Sequence, residues 1–226
     1  MARKQQKKGE DPGFKPRSLE PRNDAQAEVI DSVRTNDITF VFGPAGTGKT
    51  HIAVGLAVRG LRFGKYDRII VTRPLVAAGK DMGYLPGGIE EKVGPYVRPC
   101  FDELSYYLSF SMIRQLMTDL VIEIVPLSLM RGRTFANCFI ILDEAQNANH
   151  VEIKNLLTRI GENSRMVLAG DPYQSDLPRD AQGAFQQAAD DLTGLPGIGI
   201  VQMTADDIVR HRLIGPILGR LYRNGN

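Results

Sequence analysis

The sequence predicts an α/β fold in three layers, a mainly parallel central sheet with helices on both faces. Two observations predict it. Strand-like and helix-like segments alternate along most of the chain, and the strand-like segments are solid apolar runs, not alternating ones, as expected for strands buried on both sides. A third observation says where a ligand would sit. The conspicuous polar residues fall just past the ends of those runs, at the carboxyl edge of such a sheet.

Each element follows from local chemistry. Asn23–Val33 reads as a helix, with Asn23 or Asp24 as its cap. Ile38–Phe42 is short, β-branched and aromatic, and reads as a buried strand. Gly43–Gly48 is a glycine-rich turn, and Lys49–Arg62 shows helical spacing. Further strands are expected at Arg68–Thr72, Val121–Val125, Cys138–Leu142, Met166–Ala169 and Ile198–Met203. Pro74 to Gly88 is loop-rich. Glu90–Leu116 reads as broadly helical, with Pro95 and Pro99 breaking or kinking its first half. Helices are also expected at Val151–Ile160, Ala181–Asp190 and Ile208–Leu221.

Composition narrows the class. The chain has 226 residues, 42% of them hydrophobic, which is ordinary for a globular domain. No apolar run approaches the roughly 20 residues of a membrane span, and the N-terminus lacks an apolar secretory core, so a cytoplasmic protein with no membrane partner is expected. Cys100 and Cys138 make no disulfide framework, and His51, His150 and His211 are too scattered for a metal cluster. Net charge is only +2. The basic residues gather at the start, however, where Arg3, Lys4, Lys7, Lys8, Lys15 and Arg17 face only Glu10 and Asp11. Residues 1–18 are therefore expected to form a flexible basic arm, either a solvated tail or a phosphate-seeking one, ahead of one catalytic domain over 19–226.

The chemistry is concentrated in three strand ends. Gly43-Pro44-Ala45-Gly46-Thr47-Gly48-Lys49-Thr50 matches the phosphate-binding loop G-x-x-x-x-G-K-[ST] in full, between an expected strand and an expected helix. Glycines let successive N–H groups curl toward phosphate oxygens, and the following helix aims its positive end at the same anion. Lys49 can reach the β- and γ-phosphates and Thr50 can ligate magnesium. Asp143 and Glu144 follow the run Cys138–Leu142. Carboxylates there are costly to bury without a counter-charge, which Mg-ATP supplies. Asp143 is the expected metal ligand and Glu144 the group that orients or deprotonates water. After the next strand, Gly170-Asp171-Pro172 leads to Gln174, a candidate sensor of the γ-phosphate. ATP and Mg²⁺ are the expected cofactors.

These blocks resemble those of the PhoH-like family of P-loop ATPases across roughly residues 19–221. The resemblance rests on Val71-Thr72-Arg73-Pro74, Gly83-Tyr84-Leu85-Pro86-Gly87, Met130-Arg131-Gly132-Arg133-Thr134-Phe135, Phe139 through Asn147, Asp176-Leu177-Pro178 and Asp207-Ile208-Val209-Arg210-His211. It implies a RecA-like core similar to the first motor domain of superfamily 1 helicases, ATP hydrolysis, and RNA or another single strand as the polymer acted on. It also implies that Gln26 reads the adenine edge and that Arg210 is directed at the γ-phosphate. The nucleotide-binding set is then Gln26, Gly43 through Thr50, and His51. Only one RecA-like domain is expected, so a neighbouring subunit has to supply an arginine unless Arg210 swings in from the same chain. Arg73, Arg131, Arg133 and Arg210 are the candidates, and a closed homo-oligomeric ring is expected, of six subunits on the strength of the resemblance. Arg73, Lys80 and Lys92, with Tyr84 and Tyr96 nearby, suit a polymer. The alternatives are an ATP-dependent switch acting on a protein partner and a small-molecule kinase, against which the Asp-Glu-Ala-Gln block speaks.

Overall fold

The computed structural model describes residues 13–15, 17–75 and 89–209, residues 89–97 by backbone alone. Six strands form one sheet: β1 (Ile38–Phe42), β2 (Arg68–Arg73), β3 (Ile122–Pro126), β4 (Cys138–Leu142), β5 (Arg165–Gly170) and β6 (Ile198–Gln202). Their order across the sheet is β3-β2-β4-β5-β1-β6, and every pairing is parallel. All six expected strands are present. Among the described residues six α-helices accompany them: α1 (Asp24–Thr35), α2 (Lys49–Arg62), α3 (Ile89–Tyr107), α4 (Phe110–Thr118), α5 (His150–Leu157) and α6 (Ala184–Leu192).

The pleat explains the three layers. Val41, Val71, Ile141 and Val167 face one core with buried residues of α1, α2, α3 and α4. Their neighbours Phe40, Phe42, Ile70, Ile140 and Leu168 face a second core with α5 and α6. Alternate residues thus go to opposite faces, and since both faces are covered the sequence reads as unbroken apolar runs. Phe185 of α6 stacks on Phe42 at 4.3 Å between ring centroids, which seats α6 beneath the end of β1.

One expectation needs correction. The long helical segment does not break at its prolines. α3 continues through Pro95 and Pro99, and the break falls at Ser109, whose side chain accepts the Met112 N–H and caps α4. Burial of Cys100, Leu104 and Tyr107 against the core outweighs the proline cost, whereas Ser109 offers a cap that starts a new helix. The expected arm lies mostly outside the described residues. Of residues 1–18, the described part lies against α3: Ser109 donates its N–H to the Gly13 carbonyl, Lys15 to the Tyr107 carbonyl, and Phe14 packs on the core. The apolar ring of Phe14 gives that end of the arm a reason to dock. The helix expected at Ile208–Leu221 lies outside the described residues from Arg210 onward.

Candidate nucleotide site

The strand order decides what meets at the carboxyl edge. β1 carries the glycine-rich loop, β4 the acidic pair, and β5 lies between them. Gly43, Gly46 and Gly48 have φ of 152°, 94° and 89°, backbone that residues with a Cβ rarely adopt. Gly48 occupies the N-cap of α2 with no side-chain cap. The first N–H groups of α2 are thus left for an outside acceptor, the condition for anion binding at a helix start. The loop edges a cleft of about 810 Å³ that Lys49, Thr50, Asp143, Glu144, Asp171 and Gln174 also line.

Lys49 folds over the loop, its ammonium donating to the carbonyls of Gly43 at 2.6 Å and Pro44 at 3.0 Å. Across the cleft the Thr50 hydroxyl donates to Asp143 Oδ1 at 2.7 Å. Asp143 is buried. Burial is the largest influence on its carboxyl and pushes it above the ordinary range, while the Arg73 guanidinium and the Thr50 hydroxyl pull the other way. Arg73 meets both acids, with Nε 3.1 Å from Asp143 Oδ2 and Nη2 3.1 Å from Glu144 Oε1. Glu144 stands in the left-handed region at φ 54°, and its Oε2 accepts from Gln146 Nε2 at 2.7 Å.

A divalent cation fits these donors. A hydroxyl and a buried carboxylate oxygen stand side by side, hard ligands of the kind magnesium takes, and burial leaves the carboxylate with a need for positive charge. Among the described residues no group of three or more His, Cys, Asp or Glu could hold a metal. Magnesium is commonly held by one or two carboxylates together with phosphates and water.

The remaining expected residues are placed as follows. Gln26 is buried beside the loop, its Nε2 donating to the Thr47 carbonyl and its Oε1 accepting the Arg22 N–H, both at 2.9 Å. Gln174 is exposed on the rim. His51 lines the cleft but is held by α3, with Nδ1 3.1 Å from Glu103 Oε2 and Nε2 2.9 Å from the Tyr107 hydroxyl. Arg210 lies outside the described residues. Its neighbour Val209 donates its N–H to the Gly46 carbonyl at 2.9 Å.

Among the arginines, Arg73 pairs with both members of the acidic pair. Arg133 is paired with Glu123 at 2.7 Å, and Arg131 is exposed. Lys80 and Tyr84 lie outside the described residues, as do the side chains of Lys92 and Tyr96. Sequence reasoning missed the part played by Gln146. Its Oε1 accepts the Asp171 N–H at 3.1 Å while its Nε2 holds Glu144, so one buried amide joins the ends of β4 and β5. Its place within the acidic block was the available signal. Arg73 gave none, because nothing local says that β2 lies beside β4.

A parallel sheet with a glycine-rich loop after β1, an acidic pair after β4 and a strand between them defines a P-loop protein with a RecA-like core. The model of the PhoH-like protein family matches residues 18–222, and the chain belongs to that family. It is 42% identical over 204 residues to a PhoH-like protein of Bacillus subtilis (strain 168), covering 90% of this chain and 64% of the relative. It is 43% identical over 207 residues to one of Mycobacterium tuberculosis (strain ATCC 25618 / H37Rv), covering 92% and 59%. The chain thus spans about three fifths of the length of these curated relatives. Among solved structures, the large terminase of a thermophilic bacteriophage aligns with a TM-score of 0.58 at 12% identity, over 90% of this chain and 51% of the terminase. That likeness is one of fold. No described helix is long and apolar enough to cross a membrane.

Proposed function

We propose that the chain hydrolyses Mg-ATP and couples hydrolysis to binding or remodelling RNA or another single-stranded nucleic acid. The observation that carries the hydrolysis is the convergence of an uncapped helix start, Lys49 and Thr50 with Asp143 and Glu144 across one cleft. In this reading the N–H groups of the loop and of the first turn of α2 hold the β- and γ-phosphates. Lys49 exchanges its carbonyl partners for phosphate oxygens. Thr50 and Asp143 would hold Mg²⁺, which neutralises charge building between the phosphates. Glu144 orients the attacking water and takes its proton. Gln174 on the rim meets the γ-phosphate, and Gln26 reads the adenine edge while bracing Thr47. Arg210 or an exposed arginine of a neighbouring subunit, such as Arg131, stabilises the departing phosphoryl group in a ring of six.

Phosphate release from Mg-ATP tests this directly. Lys49→Ala should abolish both binding and turnover. Glu144→Gln should still bind ATP and lose about 100-fold or more in rate. Unchanged release in either variant would overturn the hydrolytic reading. Turnover with and without single-stranded RNA tests the coupling, and a rate and affinity indifferent to the strand would overturn that half alone.

A further inference from the structure

A second groove, of about 420 Å³, runs between α2 and the segment Phe14–Leu19. Among the described residues Lys15, Arg17, Arg59 and Arg62 line it, and no acidic residue does. Arg59 and Arg62 share the last turn of α2. Both are exposed, and among the described residues neither forms an ion pair. Like charges gathered in this way repel one another and favour an anionic ligand. Aromatic rings accompany the cations. Arg62 lies 5.3 Å from the centroid of Phe14, Arg17 lies 4.2 Å from that of Tyr106, and Phe63 at the rim is 68% exposed.

The groove adjoins the nucleotide cleft. Ser18 lines both. On the groove side, Gly55 of α2 lets Tyr107 and Leu19 come close: a Cβ there would stand 2.5 Å from the Tyr107 hydroxyl and 3.0 Å from Leu19 Cδ1. That same hydroxyl is 2.9 Å from His51 Nε2, and His51 follows Thr50 in the chain. A ligand pressing on Tyr107 therefore acts one residue from the hydroxyl that faces Asp143.

We propose that this groove binds one strand of nucleic acid, with its arginines on successive phosphates and the exposed Phe63 against a base, and that the Tyr107–His51 contact carries its occupancy to α2. The inference rests on the polymer reading above and gives it a place apart from the ATP cleft. Exposed arginines that form no ion pair among the described residues select a polyanion. Rings interleaved with those cations select unstacked bases over a closed duplex, and a recess between a helix and a strap suits a strand better than it suits a bilayer surface.

The test is binding of a labelled single-stranded oligouridylate, by fluorescence anisotropy across a salt series, with phosphate release measured on the same samples. Arg59→Glu/Arg62→Glu should weaken binding about tenfold or more and flatten the salt dependence by at least about one in log–log slope. Its RNA-free ATPase rate should match the wild type, which also reports that it folds. Tyr107→Phe should keep the strand and lose its stimulation of hydrolysis. Equal affinity and slope in wild type and double variant would overturn the groove and leave the polymer reading standing. Failure of the wild type to bind the strand would overturn both and leave ATP hydrolysis untouched. Binding to anionic vesicles in place of RNA would likewise overturn the proposal.

Discussion

Asp143 shows how one residue can carry opposing demands. Burial raises its carboxyl above the ordinary value of 3.8, so ionising it costs the fold. The cost is absent below that ordinary value, where the group is protonated whether folded or not, and stability is lost as pH rises through the raised folded value. Arg73 limits the loss. Arg73→Ala should destabilise the nucleotide-free protein by about 3–5 kcal/mol at neutral pH, because it leaves a buried carboxylate without its cation. The penalty should shrink as pH falls through the raised value, and thermal melts at several pH values would read it. Mg-ATP, which brings its own cation, should restore part of the loss. Cys100 shows the same physics without function: burial, with the charge of Asp143 adding to it, pushes its thiol up to about 12, so it is a packing residue and not a nucleophile. In the sequence Lys49, Thr50, Asp143 and Glu144, which meet in one cleft, were legible as candidates because their types and spacing match a phosphate-binding loop and an acidic strand end. Arg73 and Gln146 were not, since their partners depend on which strands lie side by side.

At the scale of elements, local chemistry was the better guide where burial is complete. β1, β2, β4 and β5 read as strands because hydrophobic burial on both faces leaves a mostly apolar run, interrupted inside only by the buried Thr39 of β1 and Thr72 of β2. The boundary between α3 and α4 was misjudged because proline was weighed and packing was not. The loop before α2 is the element where backbone geometry matters most. Gly48 has φ of 89°, and a Cβ there would stand 2.8 Å from Gln26 Nε2. Gly48→Ala should therefore cost about 1–3 kcal/mol through strain and weaken ATP binding more than it weakens the fold. Isothermal titration with ATP beside a denaturant melt separates the two effects.

At the scale of the whole molecule, the described residues form one RecA-like core with the candidate nucleotide cleft at the carboxyl edge of its sheet. Arg210→Ala should cut turnover while leaving ATP affinity nearly intact, as expected for a cation that acts on the departing phosphoryl group. Native mass measurement with and without ATP would test the proposed ring. A monomer that hydrolyses ATP at full rate would remove the need for a neighbour's arginine. Strand order, which brings β2, β4 and β5 together under the cleft, was beyond reach of the sequence because it is a product of long-range packing. The bracing of the phosphate loop has the same origin. Gln26 holds the Thr47 carbonyl from α1, Val209 holds the Gly46 carbonyl from near the other end of the described chain, and Gly43 donates its N–H to Gly170 of β5. The eight-residue signature is therefore a local spelling of a shape that distant segments enforce. Grafted alone onto another scaffold, it would arrive without its buttresses.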